Sequence, residues 1–467
     1  MEFDGVWWLP DKQDHRVKGT LKIYDNHSSL LELRDILTKD EIEKIPIIHG
    51  VIFEGSKEVT LLECLQSDEK EDVLVEYCAT QKNQKISPLV TIIGKHIKVP
   101  LSKLKIKKMM VRIPELDFWF PRNICSDLIK FEGKTIKITT DEKQIFCDEL
   151  DDFVFKIIYS IGYSINQKGA SYTLKDVKVE PYIVLEFKEA KNLKDCYDLL
   201  HKLIGLFSLA ISDRVHISEI LCSDDSAEFF NVYIQTEYCR ISIEPKFIPP
   251  DRILFDFNQF KNHNCIRNWL SMYERLELLC EYYSSTITNE NLSIEYKFLN
   301  LVIALEFYHR YSERFEQHKI DPNKWIMIKI IIKERILEML KSKSKITDEE
   351  IKHINRKIEF VHEKSLRRRL LEIIRDDLEI HELLFRNSNE RDKFINDVIK
   401  IRNTLAHGLS DEAFNYNYEM LLTLTNKLKI IVECAILHEL GFNEEEIKNI
   451  AVRRLKELAK WKLIALW

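Results

Sequence analysis

The chain has 467 residues, 45% of them hydrophobic and 31% charged, with only 11 Gly and 11 Pro. That composition excludes long flexible linkers and, on length alone, allows about three domains with cores of their own. A formal net charge of −6 excludes a global attraction to nucleic acid, so any contact with a polyanion has to come from a local basic patch.

From residue 1 to about 190 the sequence reads as strands. Val17 to Tyr24, Ser29 to Leu33, Val59 to Leu65, Val73 to Tyr77, Val111 to Ile113, Thr135 to Thr140 and Ile183 to Phe187 are short, β-branched or aromatic, and separated by charged turns. Many short strands with little helix predict an antiparallel sandwich or barrel-like sheet. This region has no Gly-rich phosphate loop and no nucleophile elbow. Phe3-x-Gly5-x-Trp7-Trp8-Leu9-Pro10, then Val17-x-Gly19-x-Leu21, then Gly50-Val51-Ile52-x-x-Gly55-x-x-Val59-Thr60-Leu61-Leu62-x-Cys64 follow one another, with Glu115-Leu116-Asp117-Phe118-Trp119 further on. Their order and separation resemble the N-terminal domain of ApeA-type bacterial anti-phage proteins. Physically, Trp7 and Trp8 read as core or interface aromatics and Thr60 to Leu65 as a buried strand.

Asn192 to Ile211 carries apolar residues at helical spacing and is expected to pack on the preceding sheet, with His201 a core or interface residue. Phe229 to Gln235 and Cys239 to Glu244 read as further strands, and Pro245, Pro249 and Pro250 mark a boundary. The expected domains are therefore 1–190, β-rich, for which the ApeA resemblance implies a sensing or regulatory character; 191–261, completing or bridging it; and 262–467, all-α. The acidic run Asp148-Glu149-Asp151-Asp152 reads as a solvated turn. Ten cysteines are scattered without a C-x-x-C pair and read as free buried thiols. No apolar run approaches the roughly 20 residues that cross a bilayer, and MEFDGVWWLP has no basic segment before an apolar one, so a cytoplasmic location is expected.

Beyond residue 262 the apolar period changes from two to 3.6. Helices are predicted near 264–287, 291–315, 323–342, 347–386 with a break, 391–407, 413–440 and 443–464. The helix over 391–407 ends in Arg402-Asn403-Thr404-Leu405-Ala406-His407, with Gly408 behind it. A guanidinium forks onto phosphate oxygens and an imidazole moves a proton near neutral pH, which together make a metal-free kit for cutting RNA. Residues five apart on an ideal helix lie roughly 140° apart, so convergence of Arg402 and His407 needs a helix end. Upstream, Glu306 and Arg310 are four apart and able to pair on one helix face. Basic residues gather between these helices, among them Lys333 and Arg367-Arg368-Arg369, and form a candidate RNA-tracking patch. Tyr308, Tyr311, Phe414, Tyr416 and Tyr418 are candidates for stacking on unpaired bases.

Arg-Asn-x-x-x-His at a helix end resembles the R-x4-6-H motif of HEPN-superfamily ribonucleases, and the Glu306/Arg310 helix is similar to the element that precedes it in ApeA-type HEPN domains. The fold class so implied is α+β and multidomain: a β-rich antiparallel N-terminal region followed by an all-α HEPN helical bundle. The resemblance implies a metal-independent endoribonuclease of abortive infection that needs no cofactor. It would cut host RNA, tRNA being one candidate, to 2′,3′-cyclic phosphate and 5′-OH ends after a phage-encoded trigger. His407 would be general base and acid, Arg402 would stabilise the phosphorane, and Asn403 would orient the scissile phosphate or His407, with Glu306 and Arg310 in support. It also implies a homodimer or higher homo-oligomer through the HEPN domains, without a membrane. The rival expectation is a non-catalytic HEPN module that binds nucleotides or proteins and acts through the N-terminal region.

Overall fold

The computed structural model describes the chain apart from residues 38–43, 67–71, 74–80, 121–128, 133–134, 139–142, 169–170, 227, 244–246, 290, 317–319, 342–346, 360–361, 377, 408–415 and 465–467. It divides into two compact units, Met1–Lys261 and Asn262–Trp467.

Alternation of buried with more accessible residues marks the early strands of the first unit. In Val17–Ile23 every second side chain is buried, and Ser29–Leu33 repeats the pattern, as expected for strands with one face on a core. Sixteen strands are described. They are β1 (Glu2–Trp8), β2 (Val17–Ile23), β3 (Ser29–Leu33), β4 (Lys44–Ile52), β5 (Lys57–Gln66), β6 (Asp72–Val73), β7 (Gln81–Lys82), β8 (Gln84–Ile93), β9 (Lys105–Arg112), β10 (Ile129–Glu132), β11 (Thr135–Ile138), β12 (Lys143–Glu149), β13 (Phe153–Lys168), β14 (Ser171–Asn192), β15 (Glu219–Ser223) and β16 (Phe229–Ile234). The largest sheet runs β12-β13-β14-β9-β15-β16-β8-β3-β2-β1-β4-β5, and β5 pairs back onto β8. Six antiparallel strands, β8-β3-β2-β1-β4-β5, therefore close into a ring that leaves no free edge among them.

The ring encloses Trp7, fully buried with Val17, Leu21, Leu31, Ile48, Ile52, Val59 and Leu61. Its indole Nε1 donates to the Gly19 carbonyl at 3.3 Å. Trp7 and Gly50 are cross-strand partners, and a Cβ built on Gly50 would lie 2.2 Å from Trp7 Cε3. Trp7 of the opening motif and Gly50 of the later Gly50-Val51-Ile52 stretch are thus one packing unit, since the indole lies where a side chain of residue 50 would be. Gly50→Ala is expected to cost about 3 kcal/mol by overpacking. Thermal unfolding should show the loss, and most of it should vanish in the Trp7→Leu background; equal penalties in both backgrounds would refute the contact.

A second core lies under helix α1 (Leu193–Ile211), which is capped by Asn192 and packs against β14 and β9. A 3-10 turn, Pro114–Phe118, delivers Trp119 to this core, where it meets Phe120, Phe207 and Phe260 edge-on and donates to the Phe255 carbonyl at 2.8 Å. Helix α2 (Phe257–Asn262) supplies Phe257 and Phe260. His201 of α1 is half-buried against the Tyr238 ring. Of the strand expected over Cys239 to Glu244, the described residues 239–243 form no strand. Cys239 forms an isolated bridge with Ile217, and the backbone N–H groups of Ile241 and Ser242 go to Asp25, so no ladder forms there. Residues 74–77 and 139–140 of two other expected strands lie outside the described residues.

The second unit is helical among its described residues: α3 (Cys265–Thr288), α4 (Ile294–Tyr311), α5 (Pro322–Lys341), α6 (Asp348–Glu359), α7 (Leu366–Asp376), α8 (Leu378–Leu384), α9 (Ser388–His407), α10 (Tyr418–Glu439) and α11 (Glu444–Ile464). α4 buries Phe298, Leu301, Val302, Leu305, Tyr308 and His309, the i, i+3, i+4, i+7 stripe of an amphipathic helix. It packs on α3 and α10 with one side and on α7 and α9 with the other. The α+β class is as expected, with the β-rich region first and the bundle second. No helix among the described residues is long and apolar enough to cross a membrane. Eight cysteines are free, seven of them buried, while Cys78 and Cys125 lie outside the described residues.

Candidate active site

α9 starts where the sequence offers a cap. The Asn387 side chain accepts from the Glu390 N–H at 2.9 Å, and Lys427 of α10 ties Glu390 (3.2 Å) to the Leu384 carbonyl (2.8 Å). From that anchor Phe394, Ile395, Val398 and Ile401 turn into the core. Asn396, Ile399, Lys400 and Asn403, at i, i+3, i+4 and i+7, then share a flank of the helix. Arg402 is half-buried and its Nη1 donates to Asn403 Oδ1 at 3.3 Å. His407 is the last residue of the helix; its side chain and Gly408 lie outside what is described.

Across from this flank, Glu306 of α4 and the start of α7 complete an open cleft of about 550 Å³, lined by Glu306, Ser365, Leu366, Arg367, Asn396, Ile399, Lys400, Arg402 and Asn403. Three cations and one acid face it, which gives a site of positive sign in an acidic protein. Glu306 pairs with Arg310 at 3.6 Å, and Arg310 reaches on to Glu363 at 3.4 Å. Arg310 is thus held between two carboxylates at the rim.

The three consecutive arginines have three different fates. Arg367 is exposed in the cleft, with Nε donating to Asn396 Oδ1 at 3.3 Å. Arg368 is exposed and pairs with Glu372 one turn on. Arg369, expected among the RNA contacts, is 2% exposed; its Nε donates to the Lys364 carbonyl at 2.9 Å and Nη2 faces Glu363 at 3.5 Å. It pins the turn before α7 and presents no surface to RNA, because the helix phase that buries Leu370, Ile373 and Ile374 turns Arg369 inward with them. Lys333 sits half-buried on α5, on a different element from those that form the cleft. Of the aromatic candidates, Tyr308 is core at 2% exposure, Tyr311 and Tyr418 are exposed, Tyr416 is half-buried, and Phe414 lies outside the described residues.

Sequence reasoning missed the support beneath this cleft. His309 Nε2 donates to Glu372 at 2.8 Å, and Lys364 reaches the same carboxylate at 2.7 Å. Burial works against ionising Glu372, but hydrogen bonds from Lys364, His309 and Arg368 prevail and draw its carboxyl down to about 2. Burial holds His309 toward its neutral form against the pull of Glu372, so it serves as an N–H donor rather than a charge. A carboxyl depressed below its ordinary range adds stability at pH above that range and loses it as pH falls from about 5 toward 2. The loss should reach about 2 kcal/mol after allowance for partial exposure. A thermal-midpoint series against pH should steepen in this window, and Glu372→Gln should flatten it; identical profiles would refute the assignment. The signal in the sequence was the His309-Arg310 step, with its histidine on the apolar stripe.

Among the described residues no group of three or more His, Cys, Asp or Glu is placed to hold a metal ion. The acidic run near 150 is spent on ion pairs, Glu149 with Lys188 and Asp152 with Lys191.

Comparison with known proteins gives two matches along the chain. Residues 2–269 match the family described as ApeA N-terminal domain 1, and residues 299–446 match Apea-like HEPN. No curated protein and no solved structure matches. The second match spans α4 through the start of α11, and so contains every residue lining the cleft. With the first match covering more than half of the chain, this protein belongs to the ApeA family: it is an HEPN-containing, ApeA-type defence protein, and its helical unit is of a class that is typically ribonucleolytic.

Proposed function

We propose that the helical unit is a metal-independent endoribonuclease that cleaves host RNA, tRNA being one candidate, when the N-terminal unit responds to a phage component. One observation carries this reading: Arg402, Asn403 and Glu306, chosen from the sequence for three distinct roles, line one positively charged cleft. In the reaction His407 takes the proton of a ribose 2′-OH, the 2′-oxygen attacks phosphorus, and the P–O5′ bond breaks. A proton returned by the imidazolium leaves a 5′-OH and a 2′,3′-cyclic phosphate. Arg402 stabilises the charge that grows on the phosphorane oxygens, and Asn403 fixes the direction of that guanidinium through its 3.3 Å contact.

Helical backbone runs through His407, and positions five apart on an ideal helix lie about 140° apart around its axis. Two copies related by a twofold axis through the motif helices bring the arginine of one beside the histidine of the other. A homodimer is accordingly part of the proposal, as is a cytoplasmic site of action.

The test is RNA integrity in bacteria expressing the wild-type chain, Arg402→Ala or His407→Ala, with and without phage. New 5′-OH and cyclic-phosphate ends should appear with the wild type alone, and purified protein should make them in the presence of EDTA. Phage protection that persists in both variants without new ends would sink the reading and leave the binding-module alternative.

A further inference from the structure

We propose that Arg367, Asn396 and Lys400 form a phosphate subsite beside the Arg402–Asn403 pair, which grips the RNA backbone away from the bond that is cut. The inference deepens the ribonuclease reading and rests on single-stranded RNA being the ligand of the cleft. Arg367 enters from α7 and Lys400 from α9, so the subsite is built across two helices that pack on one another. The Asn396 carbonyl oxygen accepts from Arg367 Nε at 3.3 Å. That contact takes the Nε–H of Arg367, and its terminal guanidinium nitrogens carry the remaining four N–H donors. Along α9 Asn396, where Arg367 is anchored, lies about 9 Å of rise from Arg402, with Lys400 between them about 3 Å from Arg402, so the subsite adjoins the Arg402 end and extends away from it along a bound strand.

Charge decides what such a place takes. Arg367 and Lys400 are both exposed and face a wall whose acid, Glu306, is engaged by Arg310. A planar fork and a point charge suit successive non-bridging phosphate oxygens and do not read bases. The subsite should therefore add affinity without sequence preference. It should also make binding salt-dependent, because each phosphate neutralised on a single strand contributes about 0.7 to the slope of log affinity against log salt. The buried Arg369 cannot share this role, and Arg368 is committed to Glu372.

The experiment uses the full chain carrying His407→Ala, titrated into a fluorescein-labelled oligouridylate at several salt concentrations. Arg367→Ala and Lys400→Ala should each weaken binding about fivefold and lower the salt slope by about 0.7, while Arg335→Ala, which removes an exposed charge on α5, should leave both unchanged. Both subsite residues are exposed, so their loss leaves the fold intact. In the otherwise wild-type chain the same two changes should raise KM and hold kcat within about twofold. Unchanged slope and KM in Arg367→Ala and Lys400→Ala overturn the subsite, as does a parent chain that fails to bind the oligouridylate at low salt. A chain that binds with the expected slopes yet makes no new RNA ends upholds the subsite and overturns the ribonuclease reading. A chain that cuts RNA while both slopes stay unchanged does the reverse.

Discussion

Arg402→Ala should lower RNA cleavage by about 10³-fold with little change in stability. In the proposed mechanism the guanidinium is the group aimed at charge that appears only in the transition state, and removing such a donor costs about 10²–10³ in rate, more when it carries full charge. Arg402→Lys keeps the charge and loses the planar fork, so it should recover only part of the rate. His407→Ala should be at least as damaging, since one imidazole serves in both proton transfers, each of which contributes about 10²–10⁴. Glu306→Gln should act more weakly, because Glu306 pairs with Arg310 and in the proposed mechanism touches neither the phosphate nor the 2′-oxygen. The measurement is single-turnover cleavage by purified protein, with circular dichroism to confirm the fold. An Arg402→Ala chain that is folded and cuts within tenfold of wild type would remove Arg402 from the chemistry.

Mixing two chains separates the dimer from the monomer. If the working site joins Arg402 of one copy to His407 of another, then Arg402→Ala and His407→Ala chains, each inactive alone, should together restore a fraction of the activity through mixed dimers. If each copy holds a complete site, two inactive chains stay inactive when mixed.

What could be read from the sequence followed the range of the interactions. Helix positions in the second unit depend on periodicity and caps within a few residues: α3, α5 and α11 fall within a residue of where the 3.6-residue pattern puts them, while α4 is shorter than expected at both ends and α10 starts at Tyr418 rather than near 413. The break within 347–386 was legible too, and it resolves into α6, α7 and α8. α9 starts at Ser388, three residues before its predicted start, because the Asn387–Glu390 cap was overlooked. Single strands such as Ser29–Leu33 were equally local, but their closure was not. The return of β5 to β8, which makes the ring, is a pairing of Val59 with Ile93, and no short-range pattern specifies it.

The candidate site divides the same way. Arg402, Asn403 and Glu306 were visible as residue types at fixed spacing, whereas Lys400 and Asn396 are ordinary polar residues until α7 is laid beside α9. The error over Arg369 has the same origin. Charge made it resemble its neighbours Arg367 and Arg368, and only helix phase, set by Leu370, Ile373 and Ile374 seeking the core, turns it inward.

The largest structural effect should come from a pair that took no part in the functional reading. Glu433 of α10 and Arg454 of α11 are 1% and 6% exposed, and they meet as a fork, Nη2 to Oε1 at 2.9 Å and Nε to Oε2 at 3.1 Å. Tyr283 of α3 donates to the same carboxylate at 2.9 Å, and Arg454 Nη1 goes on to Glu457 at 2.6 Å. Burial opposes ionisation of Glu433, yet Arg454 and Lys429 hold its carboxyl below the ordinary range. Arg454→Met removes the compensation and leaves a carboxylate in the core, at a cost of about 3–5 kcal/mol. For a unit of this size that is roughly 6–20 °C in the thermal midpoint. Glu433→Leu combined with Arg454→Met should recover most of the loss, because two apolar side chains owe nothing to desolvation. Thermal unfolding of the two variants separates a buried ion pair from simple packing. If the double variant is as unstable as Arg454→Met, the penalty comes from lost volume at position 454, and the charge pairing between α10 and α11 matters less than the geometry implies.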